Sequence, residues 1–505
     1  MNPLSKSKVL AFRQCPKRLW LEIHAPELKV ESEQAQTRFK RGNEVGALAR
    51  FLYDPDEVGE SIIPAHVGWD RIFETTQGLL DFSIPLFEAS FQADGAMCMA
   101  DVLLPKRVGR RKVWHLVEVK SSTSVKAYHR DDAAFQAHVA HAAGLPLASV
   151  AVAHVDPDWT YREEGDYRGL LIEKDLTDEA FARGEEVAQW IENAKAVARK
   201  RKAPEVGVGS HCKEPFECGF RGHCARQQTQ PRYPVQWLPR VQTAVLRAQL
   251  AALPSRDLRD VNDDLLNPLQ RRVKTCTLRG ETYFDARGAA MALKQLGAHK
   301  APLYFLDFET VQYAIPRWVG TRPYQQIPFQ FSCHHLSKAG KLRHTAFLDL
   351  SGDDPSRPLA EALIDACGSN GAILAYSAEF EKTRIRELAQ RYPRLKTCLL
   401  AIAERIVDLL PVAQQHYYHP DMRGSWSIKS VLPCLVPSLS YEALEGVRNG
   451  GDAVAAYLAA TDMFEPHPDE AAVREQLLRY CGLDTYAMVK LWQVFAGREE
   501  MELST

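Results

Sequence analysis

A carboxylate and a lysine lie side by side in a segment with the pattern of a strand, WHLVEVK. Strand side chains alternate between two faces, so Glu118 and Lys120 share one face. Asp101 ends the preceding predicted strand, and Glu88 ends an earlier one. Acids at adjacent strand ends can hold Mg²⁺ through oxygen ligands. A lysine beside them can orient an attacking water and stabilise the negative charge that builds on a phosphate.

An isolated Glu-x-Lys pattern is most often a surface ion pair on a half-exposed strand. Three features favour a catalytic site in this chain: the upstream acid, the flanking cysteines, and Gln136 in the next predicted helix. Gln136 can position the lysine or the backbone. We therefore predict a metal-dependent phosphodiester-cleaving site formed by Glu88, Asp101, Glu118, Lys120 and Gln136.

A second pair of acids lies in a strongly apolar predicted strand, LYFLDFET. Asp307 and Glu309 share one face of it, and two charges there are costly unless they are paired or metal-bound. Near the C-terminus, Tyr480 and Asp484 share one helix face. Carboxylates of this kind can hold two divalent ions for phosphodiester hydrolysis, while the tyrosine hydroxyl orients the water. The alternative is a set of buried ion pairs in an αβ core.

Four of the 11 cysteines form a split set that encloses the whole first site. The set is Cys15, Cys212, Cys218 and Cys224. Five residues separate each neighbouring pair of the last three, whereas structural zinc sites favour spacings of about two to four. Spacing alone leaves Zn²⁺ and an iron–sulfur cluster open. Charged and glycine neighbours indicate a ligand loop rather than four unrelated core cysteines.

The first group of residues resembles the PD-(D/E)xK nucleases. The matching residues are Asp101, Glu118, Lys120 and Gln136. The split cysteines are similar to those of the RecB-like branch of that family, which includes CRISPR-associated exonucleases. The resemblance covers roughly residues 8–225. It implies a [4Fe–4S] cluster on the four cysteines, with zinc less favoured, and Mg²⁺ or Mn²⁺ at Asp101 and Glu118.

The second group resembles the DEDD 3′–5′ exonucleases of RNase H-like fold, in the subgroup that carries a tyrosine. That resemblance implies metal binding by Asp307, Glu309 and Asp484, with Tyr480 orienting the water. The middle motif of the family is Phe-Asp on a helix, and here Glu381 replaces the aspartate. Asp408 and Lys429 are further candidates, as an acid and as a phosphate contact.

The whole chain resembles an uncharacterised bacterial family that joins these two domains. We expect a hydrolase with two active sites, the first acting on DNA and the second on single-stranded 3′ ends of DNA or RNA. Two positions depart from the RecB-like pattern, because Gly46 and Ala140 stand where a histidine and a tyrosine are usual. These departures and Glu381 favour an alternative, a non-catalytic nucleic-acid-binding or assembly protein with one or both sites decayed.

The elements that must position these residues form two αβ patterns. Those predicted before the cysteine loop are strands 84–91, 96–104, 112–119 and 149–154 and helix 131–143; those after it are strands 303–308, 327–336, 343–349 and 372–376 and helices 357–367, 379–391 and 469–496. Between them, 274–284 has the pattern of a strand. We predict an α/β multidomain protein: a PD-(D/E)xK αβ core over 1–225, a connector or small bridging domain over 226–300, and an RNase H-like αβ domain over 301–505.

Composition sets wider bounds. A chain of 505 residues is too long for one core, and 46% hydrophobic with 25% charged residues is ordinary for a globular protein. A net charge of −1 gives no global attraction to nucleic acid, although a local basic surface suffices. No signal peptide or long apolar run is evident, so we expect a cytoplasmic protein without membrane contact. The expected partner is nucleic acid, DNA before RNA, and protein partners leave no readable pattern.

Overall fold

The computed structural model describes residues 3–228, 231–461 and 469–498, and the chain divides into two compact units. The first unit comprises Met1–Thr229 and Tyr313–Gln325, and the second comprises Gln230–Gln312 and Gln326–Thr505. Each unit combines helices with sheet, so the predicted α/β multidomain class is confirmed. The stretch predicted as a connector, 226–300, lies almost wholly in the second unit.

The first unit is built on a seven-stranded mixed sheet. Its strands are β1 (Leu4–Ser5), β2 (Glu60–Ser61), β3 (Leu86–Ala93), β4 (Ala96–Val108), β5 (Arg111–Lys120), β6 (Leu147–Val155) and β7 (Leu171–Asp175). Its helices are α1 (Lys6–Gln14), α2 (Pro16–His24), α3 (Glu33–Tyr53), α4 (Pro64–Val67), α5 (Ile72–Leu79), α6 (Ala127–Ala142), α7 (Thr177–Ala182), α8 (Gly184–Ala198) and α9 (Arg221–Arg226). Strands β2 to β7 follow one another across the sheet, and β1 pairs with β4.

Helix α6 covers the face of this sheet that holds the main core. Its small and apolar side chains, such as Ala134 and Phe135, pack with Trp114 and Leu116 of β5. Strand alternation places Glu118 on that same face, and its side chain is consequently buried. Glu118 therefore lies at the edge of a hydrophobic core rather than on an open surface.

The start of the chain also reaches this edge. Strand β1 runs parallel to β4 and pairs with it at Ala96 and Met97, whereas β5 pairs with β4 from Val102 to Val108. Since β3 occupies the other side of β4, β1 lies beside the part of β4 that β5 does not reach. Lys6 follows β1 directly and is carried toward the end of β5.

The second unit contains a five-stranded sheet and a two-stranded one. Its strands are β8 (Tyr283–Phe284), β9 (Leu303–Val311), β10 (Ile327–Leu336), β11 (Leu342–Leu348), β12 (Ala372–Ala375), β13 (Ile406–Asp408) and β14 (Tyr417–Tyr418). Its helices are α10 (Ala244–Ala252), α11 (Pro268–Arg279), α12 (Ala286–Gln295), α13 (Ser356–Cys367), α14 (Glu379–Arg391), α15 (Lys396–Arg405), α16 (Leu410–His416), α17 (Ile428–Leu435), α18 (Gly450–Thr461) and α19 (Glu470–Ala496).

The larger sheet of this unit has the order β11-β10-β9-β12-β13, with β9 at its centre. Strand β10 is antiparallel to both of its neighbours, while β12 is parallel to β9 and β13. Helix α19 packs on β9, β10 and β11. The central strand carries Asp307 and Glu309, and the long helix that covers it carries Tyr480 and Asp484.

The strand predicted over 274–284 is wrong for most of its length, because helix α11 runs through Pro268–Arg279. Asn267 caps this helix: its side chain accepts from the Gln270 backbone N at 2.9 Å, and the Gln270 side chain accepts from the Asn267 backbone N at 3.0 Å. Proline at the first helical position and Gly280 in a left-handed conformation define the two ends. The capping residues at the two ends thus accompany a helix, although the composition of the segment resembles that of a strand.

In the ranges that the structure describes, none of the helices has both the length and the apolar character that crossing a membrane requires.

Candidate active sites

The acids of the first site lie on three neighbouring strands: Glu88 on β3, Asp101 on β4 and Glu118 on β5. Neither Glu88 nor Asp101 ends its strand as predicted, because β3 continues to Ala93 and β4 continues to Val108, where it pairs with β5. Asp101 lies in mid-strand, where its Oδ2 accepts a hydrogen bond from the Val119 backbone N at 2.7 Å. The sheet therefore brings together the acids that the sequence suggested.

Glu118 receives hydrogen bonds on both of its carboxylate oxygens. The Nζ atoms of Lys6 and Lys120 lie 2.7 Å and 2.5 Å from its Oε1. The amide nitrogen of Gln136 donates to its Oε2. Gln136 also donates to Asp132 Oδ1 at 3.4 Å, so its amide nitrogen contacts both Glu118 and Asp132.

Two members of this cluster, Lys6 and Asp132, were missed by sequence reasoning. Lys120 Nζ lies 2.6 Å from Asp132 Oδ2, and Lys6 Nζ lies 3.1 Å from Asp132 Oδ1. Asp132 lies one helical turn before Gln136 on α6 and is buried. Because residues four apart share a helix face, the sequence could have indicated that Asp132 points toward the same site as Gln136. No local pattern marks Lys6, because only the pairing of β1 with β4 brings it here.

Electrostatics in this cluster follow from burial and pairing. Burial raises the pKa of Asp101, although Lys6 and Lys120 oppose that shift. Burial opposes the charge of Lys120, but Asp132 and then Glu118 raise its pKa above the ordinary value. The ammonium groups of Lys6 and Lys120 thus balance the carboxylates of Glu118 and Asp132, which leaves Asp101 as an additional acid.

The first site opens into a cleft of about 2000 Å³ within the first unit. Basic and acidic side chains both line the cleft. The basic ones include Arg13, Arg38, Arg41, Arg50, Lys126 and Arg226, the acidic ones include Glu31, Asp131 and Glu217, and the aromatic ones are Phe39, Tyr128, Phe216 and Tyr324. Glu88 has a left-handed backbone (φ 57°), and its Oε1 lies 3.0 Å from Arg50 Nη2. Gly46 also lines the cleft, and a Cβ built on it would contact nothing within 4 Å.

The four cysteines of the split set line one small cavity in the first unit. Cys15, Cys212 and Cys218 are buried, and Cys224 is half-buried. Gln14 joins the early segment to the late one, since its Nε2 donates to the carbonyls of His211 and Phe216, each at 2.7 Å. Burial raises the pKa of the Cys218 and Cys224 thiols. Although all four residues are described, no three of their sulfur atoms lie within 4.8 Å of one another.

The second site places acids from the central strand against helix α19. Asp307 and Glu309 project from the same face of β9 toward Cys481 of α19, and one ligand atom from each of these three residues lies within 4.8 Å of the others. Glu309 and Asp484 are buried, whereas Asp307 is half-buried. Cys481 was not predicted as a site residue.

Two tyrosines and a lysine border these acids. The Tyr441 hydroxyl donates to Asp484 Oδ1 at 2.6 Å, and Lys429 Nζ donates to the Tyr480 hydroxyl at 2.9 Å. Lys429 also lies 4.7 Å from the centre of the Tyr480 ring. Sequence reasoning suggested Tyr480 and Lys429 but missed Tyr441, which begins a short 3-10 helix (Tyr441–Ala443) far along the chain from either motif.

The carboxylates of the second site have no ion-pair partner at contact distance in the described residues, although the charge of Lys429 opposes the rise in pKa of Asp307, Glu309 and Asp484. In the described residues, no lysine, arginine or histidine nitrogen lies within 4.0 Å of Asp307, Glu309 or Asp484. Burial, followed by the charges of Asp484 and Glu309, raises the pKa of Asp307 well above its ordinary value. Burial and then Asp484 raise the pKa of Glu309 to about 8.

Glu381 and Asp408 have different environments. Glu381 is buried on α14, and its Oε2 has no hydrogen-bond partner in the described chain. Burial raises the pKa of Glu381 to about 8, and its charge helps to raise the pKa of Asp307. Asp408 Oδ1 instead accepts from the backbone N atoms of Ser377 and Leu410, both at 2.9 Å, which is a turn-stabilising role.

Comparison with known proteins adds one match. Residues 304–427 match a family described as a domain of unknown function, DUF2779. The matched segment contains Asp307, Glu309 and Glu381 and ends before Tyr480 and Asp484. A search of curated proteins found no match.

Proposed function

We propose that this protein is a divalent-metal-dependent nuclease with two candidate active sites. The observation that carries the proposal is the convergence of Asp307, Glu309 and Asp484 from distant segments. Glu309 and Asp484 are buried, Asp307 is half-buried, and in the described residues no cationic side chain lies within 4.0 Å of any of them. Buried carboxylates without compensation are costly, and a divalent ion is the partner that such oxygen donors bind. We propose that this second site trims single-stranded 3′ ends of DNA or RNA.

The surroundings of the second site support this chemistry. When bound there, Mg²⁺ or Mn²⁺ would supply charge stabilisation for an attacking water and a leaving oxygen. Tyr480 would hold the water, and Lys429, hydrogen-bonded to its hydroxyl, would fix the tyrosine and face a phosphate. The strand order β11-β10-β9-β12-β13, with antiparallel β10, supports an RNase H-like assignment for this unit.

For the first site we propose DNA cleavage by a PD-(D/E)xK-type arrangement. Asp101 and Glu118 would bind the ion, and Lys120 would assist the water. The arginines of the cleft are suited to the sugar–phosphate backbone, because phosphate contacts supply most non-specific affinity for DNA. Aromatic side chains in the same cleft can stack on bases of an unpaired strand.

We further propose that Cys15, Cys212, Cys218 and Cys224 hold a [4Fe–4S] cluster that acts as a structural clasp. Four thiols around one cavity form a donor set that such clusters use. The preference for a cluster over a single zinc ion rests on the resemblance of the split cysteine pattern to that of the RecB-like branch.

Two single substitutions test the nuclease proposal. Full-length protein would be assayed with end-labelled single- and double-stranded DNA and with single-stranded RNA, with and without Mn²⁺. We expect Lys120→Ala to abolish one activity and Asp307→Ala the other, because each removes a residue of one site. The matched control is Lys195→Ala, which removes a lysine that bonds Asp94 and Glu192 on the surface of the first unit. Full activity in both site variants would refute the assignment.

One observation favours a second candidate for the first unit, a nucleic-acid-binding module without catalysis. The Lys6 ammonium occupies Glu118 Oε1 and also contacts Asp132, so an ion at Glu118 would have to compete with it. Under this alternative, Lys6→Met would bind Mn²⁺ at least about tenfold more tightly than the parent protein, a change of about 1.4 kcal/mol. Lys8→Met is the control, because Lys8 pairs with Glu22 instead. Equal Mn²⁺ affinities in calorimetry would contradict the competition.

A further inference from the structure

A thiol lies among the carboxylates of the second site. Cys481 Sγ is 4.0 Å from Asp307 Oδ2 and 3.9 Å from the Asp307 backbone oxygen. Its side chain is fully buried, whereas Asp307 is half-buried and gives the cluster its access to solvent. A buried cysteine in a protein core normally packs against apolar groups, and this one faces two acids instead.

A separate observation concerns a buried acid at this place. Glu309 is only 8% exposed, and in the described chain its carboxylate has neither a hydrogen-bond partner nor an ion-pair partner. Its ligand oxygen lies within 4.8 Å of those of Asp307 and Cys481. An acid this deeply buried is expected to be paired. Its neighbours within 4.8 Å include another acid and a thiol, and Lys429 acts on it only from beyond 4.0 Å.

The helix explains why the thiol points inward. Cys481 and Asp484 are three residues apart on α19 and therefore share the face that packs on β9. Leu477 and Met488 on the same face are apolar core residues. On this buried face of α19, Cys481 is a side chain that can either pack in the core or bind a metal ion.

We propose that Cys481 is a ligand of the second-site ion, together with Asp307 and Glu309, and that the mixed oxygen–sulfur set selects a thiophilic divalent ion such as Co²⁺ or Zn²⁺ over Mg²⁺. This inference rests on the proposed metal site of the second unit. Thiolate ligands favour zinc and related ions, whereas carboxylate and water ligands suit Mg²⁺. The sum of one zinc–sulfur and one zinc–oxygen bond is about 4.4 Å, which exceeds the 4.0 Å separation of Sγ and Oδ2, so one ion can touch both.

Binding would release the thiol proton to solvent, because the thiolate is the ligand form. The parent protein is expected to bind Co²⁺ with a sulfur-to-cobalt charge-transfer band. Absorption that arises at the cysteine quartet, including that of its iron–sulfur cluster, is the same in the parent and in every second-unit variant. The difference spectrum between parent and variant therefore isolates the thiol that was changed.

The experiment compares Cys481→Ser with Cys434→Ser in the full-length protein. Cys434 is a half-buried cysteine of the same unit whose Sγ donates to the Ser430 carbonyl, away from the acids. Cys481→Ser is expected to lose part of the cobalt band and to weaken Co²⁺ binding in calorimetry by at least about tenfold, with Mg²⁺ binding changed less than about twofold. Cys434→Ser is expected to match the parent in all three measurements.

Identical cobalt spectra and affinities in the two variants would overturn the inference and make Cys481 a packing residue. Circular dichroism shows whether Cys481→Ser is folded, and Cys481→Ala replaces it if it is not. Asp307→Ala tests the nuclease proposal separately. If Asp307→Ala is inactive and Cys481→Ser leaves the cobalt band unchanged, the nuclease proposal is supported and the proposal that Cys481 is a metal ligand is contradicted. If Cys481→Ser loses the band and Asp307→Ala keeps full activity, the proposal that Cys481 is a metal ligand is supported and the proposed catalysis at the second site is contradicted.

Discussion

At the scale of single residues, the first site depends on how Lys120 is held. Its Nζ lies 2.6 Å from Asp132 and 2.5 Å from Glu118, so two carboxylates fix one ammonium group. We predict that Asp132→Asn lowers kcat for DNA cleavage about tenfold, because the lysine loses one anionic partner and its position. The measurement is single-turnover cleavage at saturating Mn²⁺.

The chain offers a matched control for that change one residue earlier. Asp131 carries the same functional group but pairs with Arg13 and Arg183 at the surface of α6. Asp131→Asn should therefore leave kcat within about twofold of the parent value. Equal losses in the two variants would show that Asp132 has no special part in holding Lys120.

A site residue can be predicted from the sequence when its partner lies close to it along the chain. Glu118 and Lys120 share a strand face, and Tyr480 and Asp484 share a helix face, so periodicity alone groups each pair. Lys6 reaches its acids only through strand pairing with a distant segment. Tyr441 likewise reaches Asp484 from a separate short 3-10 helix, and such long-range contacts leave no periodic signal.

At the scale of elements, segments with a clear hydrophobic period were predictable from the sequence, and helix α11, whose composition is mixed, was not. Strand β10 spans Ile327–Leu336 and helix α14 spans Glu379–Arg391, the same bounds that the sequence predicted. Their apolar residues recur with a clear period, and turn residues flank them. Helix α11 was missed because its mixed composition resembles a strand, although Asn267, Pro268 and Gly280 mark its ends.

The cap of α11 makes a prediction about stability. Asn267→Ala removes an acceptor from the first turn and one side of a reciprocal pair with Gln270, so we expect urea unfolding to show a loss of about 1 kcal/mol. The control is Asn193→Ala, since Asn193 is exposed within α8 and bonds only Gln189 among the described contacts. If both variants unfold at the same urea concentration, the cap does not stabilise the unit.

At the scale of the whole molecule, the split cysteines join the first helices to a loop that follows most of the first unit. We predict about four iron atoms per chain after anaerobic purification, as one cubane cluster requires. Cys15→Ser should lower the iron content and make the first unit sensitive to protease, while activity from the second site persists. Cys398→Ser, at an exposed cysteine of the second unit, should keep its iron. Zinc without iron in the parent protein would contradict the cluster.

The charge of the whole molecule gives the last prediction. With a net charge of −1 the chain has no overall attraction for DNA, so binding must come from a local basic surface. Arg38 and Arg41 project from α3 into the cleft and lie 5.8 Å and 5.3 Å from the ring centres of Phe216 and Tyr324. Removing one arginine that binds a phosphate of single-stranded DNA should reduce the slope of log K against log salt by about 0.7. Arg38→Gln with Arg41→Gln should therefore flatten the slope by up to about 1.4.

Fluorescence anisotropy of labelled single-stranded DNA over a salt series measures this slope, with Mn²⁺ omitted to prevent cleavage. Arg357→Gln is the control, because Arg357 is an exposed arginine of α13 that pairs with Glu361 in the second unit. A flattened slope in the cleft variant alone would show that phosphates are held in this cleft. An unchanged slope there would mean that DNA binds elsewhere on the chain, and the aromatic side chains beside these arginines would then lose their proposed role in stacking on bases.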